Sequence, residues 1–341
     1  MFAGLGRFIA HTRSRLTGVR VTTPARNSGN LKTVVPAPSR PRLSVIALAI
    51  GLTLSATASA AGVTSPATST DPSGFRFQIV TADDSGVTRR IADDLYKQLV
   101  PIFGGFRTEL AQHRRMVYVA IGPVALRNVA ARKCDCVVIA AFTSSQVWRS
   151  VTESLQGDRA LSMTAIYAEP APVDQLRLIE LLYKRPVRVA AIVSSNTGFL
   201  KPTLQGIAEI EHYDPSEDIN VVLNRIGKTE VLLAMPDRSV YNTENVRNIL
   251  LSTYRHNQAV IGFSADMVMA GALATTYSTI EQINAQVADV ANEFVATGEL
   301  APPQFPRYFS TVINEGVARS LDVAVDDAAR NFTRRPPVRR Q

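Results

Sequence analysis

The chain has few of the residues on which most enzyme and metal sites are built. Its 341 residues include two cysteines, four histidines and one tryptophan. The cysteines, Cys134 and Cys136, lie one residue apart, so a framework of disulfides is excluded and only this one pair can form. Two thiolates with no histidine nearby do not complete a zinc site. A small buried pair, or the disulfide of an exported protein, is the reading preferred to a redox role. Of the histidines, His11 is near the start, His113 and His212 sit in polar surroundings, and His256 follows Arg255 at a helix end, where a cation meets the helix dipole. There is no Gly-x-Ser-x-Gly elbow, no phosphate-binding loop ending in Lys-Ser/Thr, no His-Glu-x-x-His and no G-x-G-x-x-G after a strand. No catalytic residue, metal or cofactor is therefore expected. Long apolar runs are missing too. Residues 45–54 form a run about half as long as the ~20 residues a spanning helix needs.

Negative charge is absent from both ends of the chain. Residues 1–60 hold eight Lys/Arg and no Asp or Glu. Five arginines follow from Arg330 onward, so residues 61–329 carry 24 basic against 29 acidic groups, a balance of −5. The net charge of +8 thus belongs to the two ends. A groove that tracks phosphates needs its Lys and Arg within the folded part, so no nucleic-acid partner is expected.

The first sixty residues have the marks of export. Arg40 and Arg42 precede the apolar run, and Ala58-Ser59-Ala60 offers small residues for cleavage before Ala61. Residues 1–60 are accordingly expected to be a leader with a signal peptide, directing the protein to the periplasm. The stretch before the run is long for a signal peptide, as a start codon assigned too far upstream would make it. Residues 61–74, rich in Ser, Thr and Pro, are expected to be a flexible linker, and residues 330–341 a basic tail.

Between these ends, short apolar runs alternate with helical periodicity. Runs at 75–81, 116–121, 137–141, 163–167, 187–193, 209–213, 231–235, 259–263 and 308–314 read as strands. Several are rich in Val, Ile and Leu without polar alternation, as in strands buried on both faces of a parallel sheet. Helical patterns fill much of what lies between: 87–99, 124–131, 173–184, 199–208, 218–226, the stretch ending at His256, 280–297 and 315–321. Regular alternation of this kind predicts α/β lobes with parallel sheets.

The most informative stretch runs from Val231 to Gln282. In order it carries Val231-Leu-Leu-Ala-Met, Pro236-Asp237, Val240-Tyr241-Asn242, Val260-Ile-Gly-Phe-Ser264, Ala270-Gly-Ala-Leu273 and Tyr277-Ser278. This ordered series resembles a family of bacterial ABC-transporter substrate-binding proteins whose known ligands include aromatic amino acids. The similarity extends more loosely from about Phe75 to Val325, including Ala120-Ile-Gly-Pro-Val-Ala-Leu126 and Val312-Ile-Asn314. It implies a type I periplasmic-binding-protein fold: two Rossmann-like lobes joined by a three-segment hinge. The chain is expected to cross at 169–172, 263–266 and 298–306. Lobe 1 would then comprise 75–168 plus 264–300, and lobe 2 would comprise 169–263 plus 301–329.

In such sheets ligands sit beyond the carboxyl ends of the strands. The candidates on the first lobe are Gly122, Pro123, Thr143, Ser144 and Ser145. On the second they are Ser194, Ser195, Asn196, Asp237, Tyr241 and Ser264. For each hydroxyl the simpler role is a helix N-cap. Asp237 either holds a ligand ammonium beneath the ring of Tyr241 or serves as an N-cap or Asx-turn for the helix from Thr243. Arg238 beside it either pairs with Asp237 or selects an acidic ligand. The resemblance implies a monomeric binding protein that delivers a small polar ligand, amino-acid-like in kind, to an inner-membrane ABC permease. The alternative is a periplasmic sensing subunit for a membrane partner such as a sensor kinase.

Overall fold

The computed structural model describes residues 75–104, 115–132, 134–155 and 161–337. The expected leader, cleavage site and linker lie outside the described residues, as do residues 338–341 of the tail. The described residues all belong to one compact unit, Thr68–Gln341. Among them no helix is long and apolar enough to cross a membrane.

Two α/β layers are built within this unit. The first holds four parallel strands in the order β1 (Phe75–Val80), β2 (Arg115–Ile121), β3 (Cys136–Thr143) and β4 (Leu161–Tyr167). Successive side chains of a strand point to opposite faces. Val117, Val119, Ile121, Val137 and Ile139 meet helices α1 (Gly86–Phe103) and α9 (Ile280–Thr297) on one face. Ala120, Val138 and Ala140 meet α2 (Gly122–Ala130) and α3 (Ser145–Ser154) on the other. Helices α1 and α2 thus lie on opposite faces of this sheet. Cys134 and Cys136, at the entry to β3, form a disulfide.

The second layer has six strands in the order β10-β9-β8-β7-β5-β6. These are β5 (Val189–Val193), β6 (Ala208–His212), β7 (Val231–Leu233), β8 (Ala259–Ile261), β9 (Ala274–Tyr277) and the antiparallel edge strand β10 (Ser310–Ile313). Leu178 and Leu182 of α4 (Pro172–Tyr183) pack on Val189, Val231, Leu233 and Ile261. The opposite face, with Ala190, Ile192, Leu232 and Val260, is covered by α6 (Ile219–Arg225), α7 (Thr243–Arg255) and α8 (Ala265–Ala270). The expected helix at 199–208 is shorter. A 3-10 turn at Gly198–Leu200 leads into α5 (Lys201–Leu204), and β6 already begins at Ala208.

The chain passes between the layers three times, and the second passage differs from expectation. It does not fall at 263–266, because Ser264 caps α8 and β9 pairs with both β8 and β10. The chain leaves the second sheet only after Tyr277, at Ser278 and Thr279, where Thr279 and Gln282 form the capping box that starts α9. The segment after α9 first lies beside β4, where Tyr167 donates to the Gln304 carbonyl at 2.9 Å and Gln304 to that of Ala165 at 2.9 Å. It then returns to the second sheet as β10.

Side chains bind these passages to one another. The buried amide of Gln286 donates to the Phe305 carbonyl at 3.2 Å and accepts from the Arg307 amide at 2.6 Å. Ser278 donates to the Tyr308 carbonyl at 2.6 Å, and the Tyr308 hydroxyl to Asp289 at 2.7 Å. Beyond α10 (Glu315–Ser320) and α11 (Asp327–Arg330), the C-terminal segment folds back over the third passage. Phe309 and Arg334 exchange backbone hydrogen bonds of 2.9 and 3.0 Å, and the rings of Phe309 and Phe332 lie 5.1 Å apart. Part of the expected basic tail is therefore a strap against the hinge.

Candidate ligand-binding cleft

A cavity of about 560 Å³ lies between the layers, and Gly122, Pro123, Thr143, Ser144 and Ser145 are not among the residues that line it. Its lining comes from α2 and α3 on one side and from the loops after β5 and β7 on the other. Gln146, Arg149 and Arg127 face it from the first layer; Ser195, Asn196, Phe199 and Arg238 face it from the second. The Arg149 guanidinium sits 4.9 Å from the centroid of the Phe199 ring, across the gap between the layers. It also pairs with Glu153 one turn along α3, at 2.9 Å. Asn196 donates to Ser239 at 3.2 Å, which joins the β5 and β7 loops at the cavity wall.

The residues expected from sequence take several different places. Ser195 and Asn196 line the cavity. Ser144 and Ser264 act as N-caps, accepting from the amides of Val147 and Met267. Thr143 is buried just after Phe142, an aromatic residue at φ 57° within a β-bulge of β3. Such a dihedral is costly for a bulky side chain and breaks the ladder just before the α3 turn. Gly122 has φ 82° and, with Pro123, opens the first turn of α2. There a residue free of Cβ makes the sharp entry.

Asp237 and Tyr241 do not face Ser144 and Ser145 across an open gap. The Asp237 carboxylate is fully buried and its acceptor sites are filled. One oxygen accepts from the Ser194 amide at 2.9 Å and from the Thr197 hydroxyl. The other accepts from the amides of Ser239 and Val240 at 2.9 and 3.4 Å. With no acceptor left over, it is a clip between two loops. The Tyr241 ring packs edge-on against Phe263 at 5.6 Å, and burial, then the nearby Asp237 charge, push its hydroxyl's pKa upward. The helix after this loop is capped by Asn242, whereas Asp237 makes the Asx-turn contact to the Ser239 amide two residues on.

Sequence reasoning placed Glu169 in the hinge but gave it no role in the site. It lies in the first passage, almost wholly buried. One oxygen accepts from the Ser145 amide at the start of α3, at 2.7 Å. The other oxygen is buried without a hydrogen-bond partner. Burial raises its pKa, against the opposing pull of the Ser145 hydrogen bonds. The arginines of the cavity were likewise missed, except Arg238.

Two α/β layers of largely parallel strands, linked by three passages, make the fold that of the two-lobed type I periplasmic binding proteins. Among solved structures the chain is similar to the ligand-free, open form of a substrate-binding protein with adhesive properties from Clostridium difficile. Identity is 12%, coverage 75% of this chain and 97% of that one, and the TM-score 0.54. It is similar as well to an ABC domain in complex with L-Trp from Streptococcus pneumonia, at 13% identity, 74% and 96% coverage and a TM-score of 0.46. No protein-family model and no curated protein matches the chain.

Proposed function

We propose that this protein is an exported solute-binding protein that closes its two lobes on a small polar ligand and hands it to an inner-membrane ABC permease. The observation that carries the proposal is the cavity of about 560 Å³ walled by helices α2 and α3 of one lobe and by the loops after β5 and β7 of the other. That volume falls within the range of small-molecule sites. The lining offers guanidinium, amide and hydroxyl groups and one aromatic ring, which suits recognition without chemical turnover. A ligand touching both walls binds only the closed arrangement, so binding and closure are one equilibrium. The three hydrogen-bonded passages form the block about which the lobes would swing. The protein would meet the permease as a monomer, with each lobe presenting its outer surface.

The test is a metabolite screen by thermal shift, followed by small-angle X-ray scattering with and without the best compound. The expected result is a raised melting temperature together with a smaller radius of gyration. A compound that binds without compaction would overturn the clamp.

A further inference from the structure

The cavity carries a charge opposite to that of the body around it. Residues 61–329 are net acidic, with 24 basic against 29 acidic groups. Yet the cavity lining brings together Arg127, Arg149 and Arg238 against a single carboxylate, Glu153. That carboxylate is already held by Arg149 at 2.9 Å. A local excess of cationic groups in a cleft, set in an acidic background, concentrates the field where a ligand enters. Resting on the two-lobed capture argued above, we propose that the ligand is a small anion with at least two negative charges. Arg127 and Arg149 grip it from one lobe and Arg238 from the other.

The geometry favours this class over its neighbours. Arg127 and Arg149 stand on α2 and α3, whereas Arg238 stands on the loop after β7. Closing the cleft therefore brings guanidinium groups from opposite lobes toward one cavity. Like charges oppose that approach, and an anion between them reverses its sign. Planar guanidinium forks match carboxylate and phosphate oxygens in pairs, which a neutral hydroxyl cannot use as fully. A flat aromatic or sugar ligand would seek a ring to stack upon. The ring that lines the cavity, Phe199, already has Arg149 lying over it at 4.9 Å.

The experiment titrates the full mature chain with succinate, citrate, inorganic phosphate and glycerol 3-phosphate, with a neutral pentose and L-tryptophan as controls. Calorimetry and thermal shift read binding, and scattering reads closure. At least one polyanion should bind, and the carboxylate and phosphate arms tell which oxygen chemistry the site prefers. Arg127→Gln and Arg238→Gln should each weaken it about tenfold or more, as expected for a lost charge-assisted contact, and Arg238→Lys less so. Raising salt from about 0.05 to about 0.5 M should weaken binding in the wild type more than in either variant. Unchanged melting of the free variants shows that the fold is intact. If no polyanion binds, or one binds the Arg→Gln variants as tightly as wild type, the inference is wrong. Binding of the pentose or tryptophan alone, with compaction, overturns the anion class and leaves the clamp standing. A polyanion that depends on the arginines but causes no compaction supports the anion class and overturns the clamp.

Discussion

Replacing Asp237 by Asn tests whether that carboxylate binds the fold or the ligand. In the native chain four donors converge on it, and three are backbone amides that cannot turn away: Ser194, Ser239 and Val240. Asn supplies one acceptor oxygen in place of two. Its least damaging orientation puts the NH2 toward Thr197, whose hydroxyl can rotate to accept. The Ser194 amide then loses a charge-assisted partner and keeps only its 3.1 Å contact with the Thr197 hydroxyl. Hydrogen bonds to charged groups contribute about 1.5–3 kcal/mol, and the remaining bonds become neutral and weaker, so a loss of about 2–3 kcal/mol is expected. Urea unfolding at neutral pH should show a lower midpoint with an unchanged slope. Ligand affinity should fall much less than it does on replacing a cavity arginine. An unaltered midpoint with lost affinity would refute the reasoning and return Asp237 to the site.

Two further outcomes follow from the hinge. The raised pKa of Glu169 means that its contribution to stability is fully present below the ordinary Glu value of 4.5 and is lost as pH rises through the folded value. Glu169→Gln should therefore gain stability relative to wild type as pH rises above the ordinary Glu value of 4.5, as read by denaturation at a series of pH values; parallel curves would show that burial does not disfavour the charge. For the strap, Phe332→Ala removes a half-buried ring from Phe309 and should cost about 1–2 kcal/mol. Arg334→Ala breaks a 3.6 Å pair between a half-exposed guanidinium and the mostly buried Asp174 and should cost at most about 1 kcal/mol. Equal losses on urea unfolding would mean that the strap is held by charge instead.

Much of the fold is legible because burial on both faces leaves a local mark. The runs that became β3, β5 and β8 are almost wholly apolar, and no other element of about that length would bury them as well. Strand β9 left no such mark. Its sequence Ala-Thr-Thr-Tyr is half polar, and the native structure satisfies it from a distance. The buried Gln175 accepts from the Thr276 amide at 3.0 Å and donates to the Thr275 hydroxyl at 2.8 Å. Missing β9 moved the expected second passage too early. The cleft was harder to read. Arg127 and Arg149 lie on the surfaces of amphipathic helices, where charge ordinarily faces water, and only the approach of the second lobe makes that surface a wall. Asp237 stood out by its position beyond a strand, but position alone does not distinguish a ligand contact from a loop clip.

The contribution of α9 to the first sheet sets the order in which the protein can be completed. Ile283, Val287 and Phe294 fill the same core as Val117, Val119, Ile139 and Ile166, yet the whole of α4 to β9 lies between them in sequence. As the chain emerges from the ribosome or a translocation channel, β1 to β4 appear first with one apolar face covered only in part, by α1. The rest of that face stays open until residues 280–297 follow. The second lobe, apart from its edge strand β10 and the strap, lies within the intervening stretch and can fold first. The N-terminal layer, although made earliest, is closed last. Contacts so far apart in sequence are slow to form, and the delay leaves the N-terminal layer loosely folded through most of synthesis. Under the export proposed above, the same delay would keep the leading half threadable.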